Sequence, residues 1–294
     1  MSELRGPPLD RRALSAAVSR AARASVREVL AAPAVVPADS GARRIGVTGA
    51  PGAGKSTLIG RLVAHRVSDA RPMAVLAIDP TSPRSGGSIL GDRVRMDAVS
   101  ADPRVYIRSL PSAGAGDGLT DNVPEILAAL DAFGFREVLV ETVGVGQAQH
   151  GVRALAEVEM LVLMPGAGDA LQAMKAGIME TADLYVVNKA DLPGAERLEA
   201  ELAGVLQHRA VRAPVVRVAA GDERGIAQLS ETLDRLLEAR SGAESRAARD
   251  AAYQRFRVES LLHRRLREVL AGLPPERWRR PLQEIYRDVV SRLG

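Results

Sequence analysis

Cysteine is absent from this sequence of 294 residues. Its absence excludes disulfides, thiolate metal sites and thiol nucleophiles together. Aromatic residues are also scarce, at 3% of the chain, and no basic run is interleaved with rings that could stack on bases. The formal net charge of +4 would permit nucleic-acid binding, but without such rings we expect no nucleic-acid partner.

Long apolar runs are missing as well. No stretch approaches the roughly eighteen uninterrupted apolar residues of a transmembrane helix. The first residues, 1–5, lack the apolar core of a signal peptide. We therefore expect a cytoplasmic protein that has no membrane partner.

Apolar segments alternate with helical patterns from residue 43 to about residue 240. Several segments are continuous apolar runs, such as residues 73–78 and 161–164, which is typical of strands covered on both faces. The pattern predicts the α/β class, with a mainly parallel sheet flanked by helices. The predicted strands are residues 43–48, 73–78, 104–108, 137–141, 159–164, 184–188 and 214–219.

One segment is a complete phosphate-binding motif, G-x-x-x-x-G-K-[ST]. It follows an apolar strand and begins a helical pattern, and this context makes a glycine-rich turn without function the weaker interpretation. Lys55 can neutralise the β and γ oxygens of a triphosphate, and Ser56 can ligate Mg²⁺. The motif predicts a P-loop NTPase whose nucleotide-binding residues are Gly49, Ala50, Pro51, Gly52, Ala53, Gly54, Lys55, Ser56 and Thr57.

A second motif, N-K-x-D, follows the predicted strand 184–188 and comprises Asn188, Lys189 and Asp191. A carboxylate can accept two hydrogen bonds from guanine N1 and N2, whereas adenine offers no matching pair of donors. Leaving such an acceptor unpaired costs about 1–3 kcal/mol, so Asp191 would select GTP over ATP. Alone the pattern could be a helix cap, but its place downstream of a phosphate loop favours guanine binding.

Three carboxylates compete for a place beside a metal ion at Ser56, which needs hard oxygen ligands. Asp79 and Glu141 each end a predicted strand, and Asp92 follows a glycine-rich loop. Asp92 could instead cap a helix over residues 93–100, and Asp79 could cap a turn before proline. Which of the three bind Mg²⁺ directly, and which through water, stays open.

The chain resembles the cobalamin-mutase-associated GTPases, the chaperones of methylmalonyl-CoA mutase and its relatives. The resemblance runs from Gly46 to about Leu192. It rests on five stretches, of which the second and third are long and specific to that family. They are residues 46–56, 78–96, 141–147, 164–169 and 187–191.

The resemblance implies bound GTP or GDP and Mg²⁺ contacts from Ser56, Asp92 and Glu141, with Asp79 close by. It also implies three mobile segments, 81–97, 141–151 and 165–177. The last is a switch that reports nucleotide state to a cobalamin-dependent acyl-CoA mutase. The catalytic residues expected on this basis are Lys55, Asp92 and Glu141, completed by Asp169, Gln172 and Lys175 of the third segment.

The resemblance also implies an organisation of the chain. Residues 1–41 are expected to form an N-terminal helical extension and linker, with one amphipathic helix over 9–31 that packs on the body or on a partner. Residues 42–241 would be the GTPase domain, and 242–294 a C-terminal helical region that builds a homodimer. Within that region an apolar stripe is predicted largely on one side of a helix, comprising Tyr253, Phe256, Val258, Leu261, Leu262, Leu266, Val269 and Leu270.

The segment that follows Glu141 predicts slow hydrolysis. Val145 stands where a water-orienting glutamine would directly follow the glycine, and Gln147 comes two residues later. We expect an intrinsic rate on the order of 10⁻⁴ to 10⁻² s⁻¹, as in unassisted switch GTPases, and stimulation by the partner mutase.

Two other functions are compatible with a nucleotide-binding α/β chain. A metallochaperone for another metalloenzyme would need a metal-handling cluster, yet the four histidines are scattered. A small-molecule kinase would need an acceptor pocket and a base, and the N-K-x-D motif disfavours ATP. Together with the resemblance, this favours a GTPase that gates adenosylcobalamin delivery to a mutase and protects that mutase.

Overall fold

The computed structural model describes residues 9–32, 41–68, 70–79, 96–111, 122–142, 147–166, 182–207 and 213–293. Within these ranges no helix is long and apolar enough to cross a membrane.

Seven parallel strands form one sheet in the order β3-β2-β4-β1-β5-β6-β7. All seven predicted strands are confirmed, with ends that shift by at most three residues. Their apolar runs are buried on both faces, as expected for strands that helices cover on each side. The strands are β1 (Arg43–Gly49), β2 (Met73–Asp79), β3 (Val105–Pro111), β4 (Glu137–Thr142), β5 (Val158–Leu163), β6 (Leu184–Val187) and β7 (Val215–Arg217).

One face of the sheet is covered by α3 (Lys55–Arg66), α4 (Asp97–Ser100) and α8 (Ile226–Ala239). Ile45 and Val47 of β1 point to this face because side chains alternate along a strand. They pack in one apolar cluster with Leu58 of α3. This packing fixes the helix that follows the phosphate loop against the central strand.

The opposite face is covered by α1 (Arg11–Arg23), α5 (Val123–Ala132), α6 (Gln147–Leu155) and α7 (Ala195–Leu206). Leu14 and Val18 of α1 are fully buried there beside the side chains of β2 and β4. Of the two placements expected for this segment, on the body or on a partner, the structure shows α1 on the body. The expectation of one helix over 9–31 is wrong, because α1 ends before Ala24 and α2 (Val26–Ala31) begins after it.

A capping box explains this break. The Ser25 hydroxyl accepts a hydrogen bond from the Glu28 backbone N–H, and the Glu28 carboxylate accepts one from the Ser25 backbone N–H. Ser25 thereby satisfies one of the first N–H groups of a new helix. The S-x-x-E pattern of residues 25–28 was the available signal in the sequence.

The C-terminal region holds α9 (Ala243–Ala271), a 3₁₀ helix (Pro275–Arg279) and α10 (Leu282–Leu293). The predicted single stripe on α9 is wrong, because its members face different neighbours. Tyr253 is buried against the body, Val269 packs with α10, and Val258 and Leu262 are exposed. Their spacing spreads them around the helix, so no one surface can bury all of them.

A buried ion pair anchors α3 at the end of the sheet away from the phosphate loop. Arg66, the last residue of α3, donates to both carboxylate oxygens of Glu137 at 2.6 and 2.9 Å. It also donates to Asp234 and Ser230 of α8. A bidentate pair of this kind is geometrically specific, so it fixes α3 relative to β4 and α8.

Candidate nucleotide-binding site

The carboxyl ends of the strands form one edge of the sheet, where ligands bind in folds of this type. The loop from Gly49 to Gly54 leaves β1 at this edge and leads into α3. At Gly49 an added Cβ would lie 2.3 Å from the carbonyl oxygen of Val162, and at Gly54, where φ is 82°, 2.6 Å from the Asn188 amide nitrogen. Any side chain at either position would collide with its neighbour, so both glycines are sterically required.

Lys55 is buried at the start of α3, and its ammonium lies within the loop. Nζ donates to the carbonyl oxygens of Gly49 at 2.8 Å and Ala50 at 3.1 Å. Gly54 precedes the helix without a side-chain cap, and the positive end of the α3 dipole faces the loop. The loop therefore places a cation and a helix N-terminus together, which is the chemistry that binds a polyphosphate.

Ser56 and Glu141 meet across the sheet although they lie 85 residues apart. The Ser56 hydroxyl donates to Glu141 Oε1 at 3.0 Å, and both side chains are buried. β4, which ends just after Glu141, lies next to β1, from which the phosphate loop leaves. A hydroxyl and a carboxylate at this spacing are hard oxygen ligands, so the pair fits a magnesium ion.

Asn188 connects the second motif to the phosphate loop. Its amide nitrogen donates to the carbonyl oxygen of Ala53 at 2.8 Å and lies 3.4 Å from that of Gly54. Lys189 follows with a left-handed φ of 54°, and Asp191 is exposed to solvent beyond it. The two sequence motifs thus form one continuous site.

The sequence analysis missed two neighbours of this site. The backbone N–H of Ala220 lies 3.5 Å from the Asn188 side-chain oxygen, and that of Ala190 donates to Val218 at 3.0 Å. The loop after β7 therefore supports the second motif. Met164, which follows β5, contacts Lys189. The available signal for each was a position at or near the end of a predicted strand.

Some of the remaining residues predicted for the site lie in the described part of the chain, and others lie outside it. Pro51, Gly52 and Thr57 line the exposed side of the phosphate loop. Asp79 ends β2 at the same edge of the sheet. The others lie outside the described residues: Asp92, Asp169, Gln172 and Lys175. Of the helix expected over 93–100, the structure shows Asp97–Ser100.

Comparison with known proteins points to one family. A family model described as "Methylmalonyl Co-A mutase-associated GTPase MeaB" matches residues 11–272. A Pyrococcus abyssi protein named as a candidate GTPase is 39% identical over 245 residues, which span 81% of this chain and 74% of that protein. The mouse methylmalonic aciduria type A homolog, a mitochondrial protein, is 34% identical over 256 residues, 84% of this chain and 61% of its own length.

A solved structure shares the fold. The crystal structure of LAO/AO transport system kinase superposes with a TM-score of 0.61 and covers 96% of this chain and 98% of its own. At 21% sequence identity this likeness supports the architecture alone.

Proposed function

This chain belongs to the family of methylmalonyl-CoA mutase-associated GTPases, and we propose that it is a GTP-hydrolysing chaperone that gates adenosylcobalamin delivery to a cobalamin-dependent acyl-CoA mutase and protects that enzyme. One observation carries the proposal. Lys55, the Ser56–Glu141 pair and Asn188 converge on a single loop at the carboxyl edge of the sheet. This convergence supports phosphate, metal and base recognition at one site.

The phosphate end of the nucleotide is held by charge and by backbone donors. Lys55 would leave the carbonyls of Gly49 and Ala50 for the β and γ oxygens, and the N–H groups at the start of α3 would face the same phosphates. Ser56 and Glu141 would hold Mg²⁺, with Asp79 and Asp92 as the further proposed ligands. When bound, Mg²⁺ neutralises charge that develops on the phosphate oxygens.

The base end would be read by Asp191, whose carboxylate accepts from guanine N1 and N2. Asn188 holds this segment at a fixed distance from the phosphate loop through Ala53. This hydrogen bond joins the segment that recognises the base to the loop that binds the phosphates. Binding of the guanine base and binding of the phosphates are therefore coupled.

Slow basal turnover and its stimulation by the mutase complete the proposal. Asp169, Gln172 and Lys175 are proposed to reorganise when the mutase binds and to complete the catalytic site. Such a switch requires contacts that differ between the free and bound states. We further propose that the protein works in the cytoplasm as a homodimer built by its C-terminal helices.

The test is GTP hydrolysis by the purified protein, alone and with a methylmalonyl-CoA mutase. We expect Mg²⁺-dependent turnover on the order of 10⁻⁴ to 10⁻² s⁻¹ alone, and a clear increase with the mutase. GTP should bind at least about tenfold more tightly than ATP, because one lost bidentate pair is worth about 1.4 kcal/mol. Lys55→Ala should abolish turnover in a protein that still melts cooperatively.

Lys175→Ala is the variant that separates basal from stimulated activity. It should leave the basal rate nearly unchanged and reduce the stimulation by the mutase. Equal affinity for GTP and ATP would contradict the guanine assignment. An unchanged rate in Lys55→Ala would place catalysis elsewhere, and full stimulation of Lys175→Ala would exclude this segment as the route of the signal.

A further inference from the structure

Met164 is the first residue after β5, and it lies between the two halves of the nucleotide site. Its sulfur accepts a hydrogen bond from Lys189 Nζ at 3.4 Å. Its terminal methyl lies 4.0 Å from the position that a Cβ on Gly52 would occupy. The half-buried side chain also packs against the apolar core that underlies α3. Met164 therefore contacts the guanine motif and the core, and it lies beside the phosphate loop.

The Lys189 side chain runs along the phosphate loop. Its Cε lies 3.8 Å from the Cβ position at Gly54, and its backbone is held in the left-handed region with φ of 54°. A non-glycine residue in this region is costly and persists only where its surroundings hold it. A backbone hydrogen bond next to Lys189 helps to hold this conformation. The backbone N–H of Asn188 donates to the carbonyl oxygen of Leu163 at 2.8 Å. The end of β5 thus supports both the backbone and the side-chain tip of the second motif.

The chemistry of the contact between Met164 and Lys189 indicates that Met164 positions the Lys189 side chain. A thioether is a weak acceptor and a poor substitute for water or a carboxylate beside an ammonium. Its value lies in an unbranched, polarizable side chain that fills an irregular gap. Met164 fills the gap between Gly52 and Lys189, and its sulfur fixes where the ammonium ends.

We propose that Met164 is a positioning residue that holds the Lys189 side chain along the phosphate loop and so couples guanine recognition to phosphate binding. The inference rests on the proposed function, since it takes a guanine nucleotide as the ligand. Met164 acts through Lys189 and touches no reacting atom. Its removal should therefore weaken nucleotide binding only while Lys189 is present.

A double-mutant cycle tests the proposal, with binding of fluorescent GDP as the measurement. We expect Met164→Ala and Lys189→Ala each to weaken GDP binding about tenfold, or roughly 1.4 kcal/mol. The double variant should be within about twofold of Lys189→Ala, because contacting residues that act as a unit are not additive. A merely structural role for Met164 would instead give additive losses.

Two further variants guard the interpretation. Met164→Leu keeps the apolar volume but removes the sulfur acceptor, and we expect it to weaken GDP binding about threefold, with no effect in the Lys189→Ala background. Met160→Leu is the matched control: the same substitution on β5, the strand that Met164 follows, at a position fully buried in the core. It should leave GDP affinity unchanged, and the nucleotide-free Met164→Leu protein should melt like the control.

The outcomes separate the two claims. Wild-type protein that binds no GDP would overturn the proposed function together with this inference. Wild-type binding with additive losses in the double variant would overturn the inference alone. Wild-type affinity in both Met164→Ala and Met164→Leu would do the same.

Discussion

Glu159 of β5 is a buried carboxyl that the nucleotide site does not use. Its side chain is 1% exposed, and neither of its oxygens accepts a hydrogen bond from the residues that the structure describes. Burial raises the pKa of Glu159 to about 7, the nearby Asp183 adds to the increase, and Arg153 opposes it. At neutral pH this carboxyl is therefore close to half protonated.

The pKa of Glu159 predicts how stability depends on pH. Because the folded pKa is raised above the usual 4.5, the favourable contribution of the protonated carboxyl is present below pH 4.5 and is lost as the pH rises through about 7. Glu159→Gln cannot ionise, so relative to wild type it should gain stability between about pH 5 and about pH 8, by at most roughly 3 kcal/mol. Urea unfolding at the two pH values measures this gain.

Glu231→Gln, at an exposed position on α8, is the matched control and should show no such gain. If Glu159→Gln and wild type respond identically to pH, Glu159 does not titrate in this range.

Among elements, the N-terminal helices are linked to the body by the side chain of Asn122, in addition to their apolar packing. It precedes α5 with a left-handed φ of 64° and donates from its side chain to the carbonyls of Ala21 and Ala24, each at 2.9 Å. Its oxygen accepts from Arg264 of α9, which also donates to Ala24. The carbonyls that end α1 are thereby satisfied by two side chains distant in sequence.

Asn122→Gly should loosen the N-terminal helices without unfolding the sheet. Glycine keeps the left-handed backbone at little steric cost but removes the donors to α1 and leaves Arg264 without its side-chain partner. We expect faster amide exchange across α1 and α2, with the rates of β1 and β4 unchanged. Hydrogen exchange with mass spectrometry measures both sets at once.

The control for this experiment is Asn122→Ala, which loses the same donors and adds strain at positive φ. It should therefore be less stable than Asn122→Gly. Uniform acceleration of exchange in every element would show that Asn122 supports the whole domain and not the N-terminal helices in particular.

At the scale of the whole molecule, α10 carries a row of exposed apolar side chains. Leu282, Tyr286 and Val290 follow one another at four-residue spacing, with 80%, 68% and 48% of each exposed. Val289, on the adjoining side of the helix, packs against α9. An exposed apolar row of this kind is typical of an interaction surface.

If the proposed homodimer uses this row, polar substitutions should separate the subunits. We expect the combined change Leu282→Gln, Tyr286→Gln and Val290→Gln to give a monomer with an unchanged melting profile, because these side chains contribute little to the fold. Light scattering on the purified protein measures the mass. Substitution is a cleaner test than truncation, since Tyr253 of α9 is buried in the body.

Leu30→Gln, at a position 71% exposed on α2, controls for the loss of surface apolar area and should leave the mass unchanged. A dimer that persists in the triple variant would place the contact elsewhere.

Features that depend on neighbours along the chain could be predicted from the amino-acid sequence. The phosphate loop between β1 and α3 could be read directly, because its glycines and Lys55 act within eight consecutive residues. The seven strands could be read because strands buried on both faces are continuous apolar runs. The helices at both ends were harder to predict from the sequence. At the N-terminal end, a capping box at Ser25 divides one apolar pattern into two helices.

Which of these features lie in contact depends on the tertiary structure. The sheet order places β4 and β5 on either side of β1, and an alternating pattern of strands and helices does not specify that order. This order brings Glu141 to Ser56, and the neighbouring β6 brings Lys189 to Met164. The raised pKa of Glu159 could not be predicted from the sequence either, because it is caused by burial and by Asp183, 24 residues away in sequence. Contacts of this kind depend on distance in space, which sequence spacing does not encode.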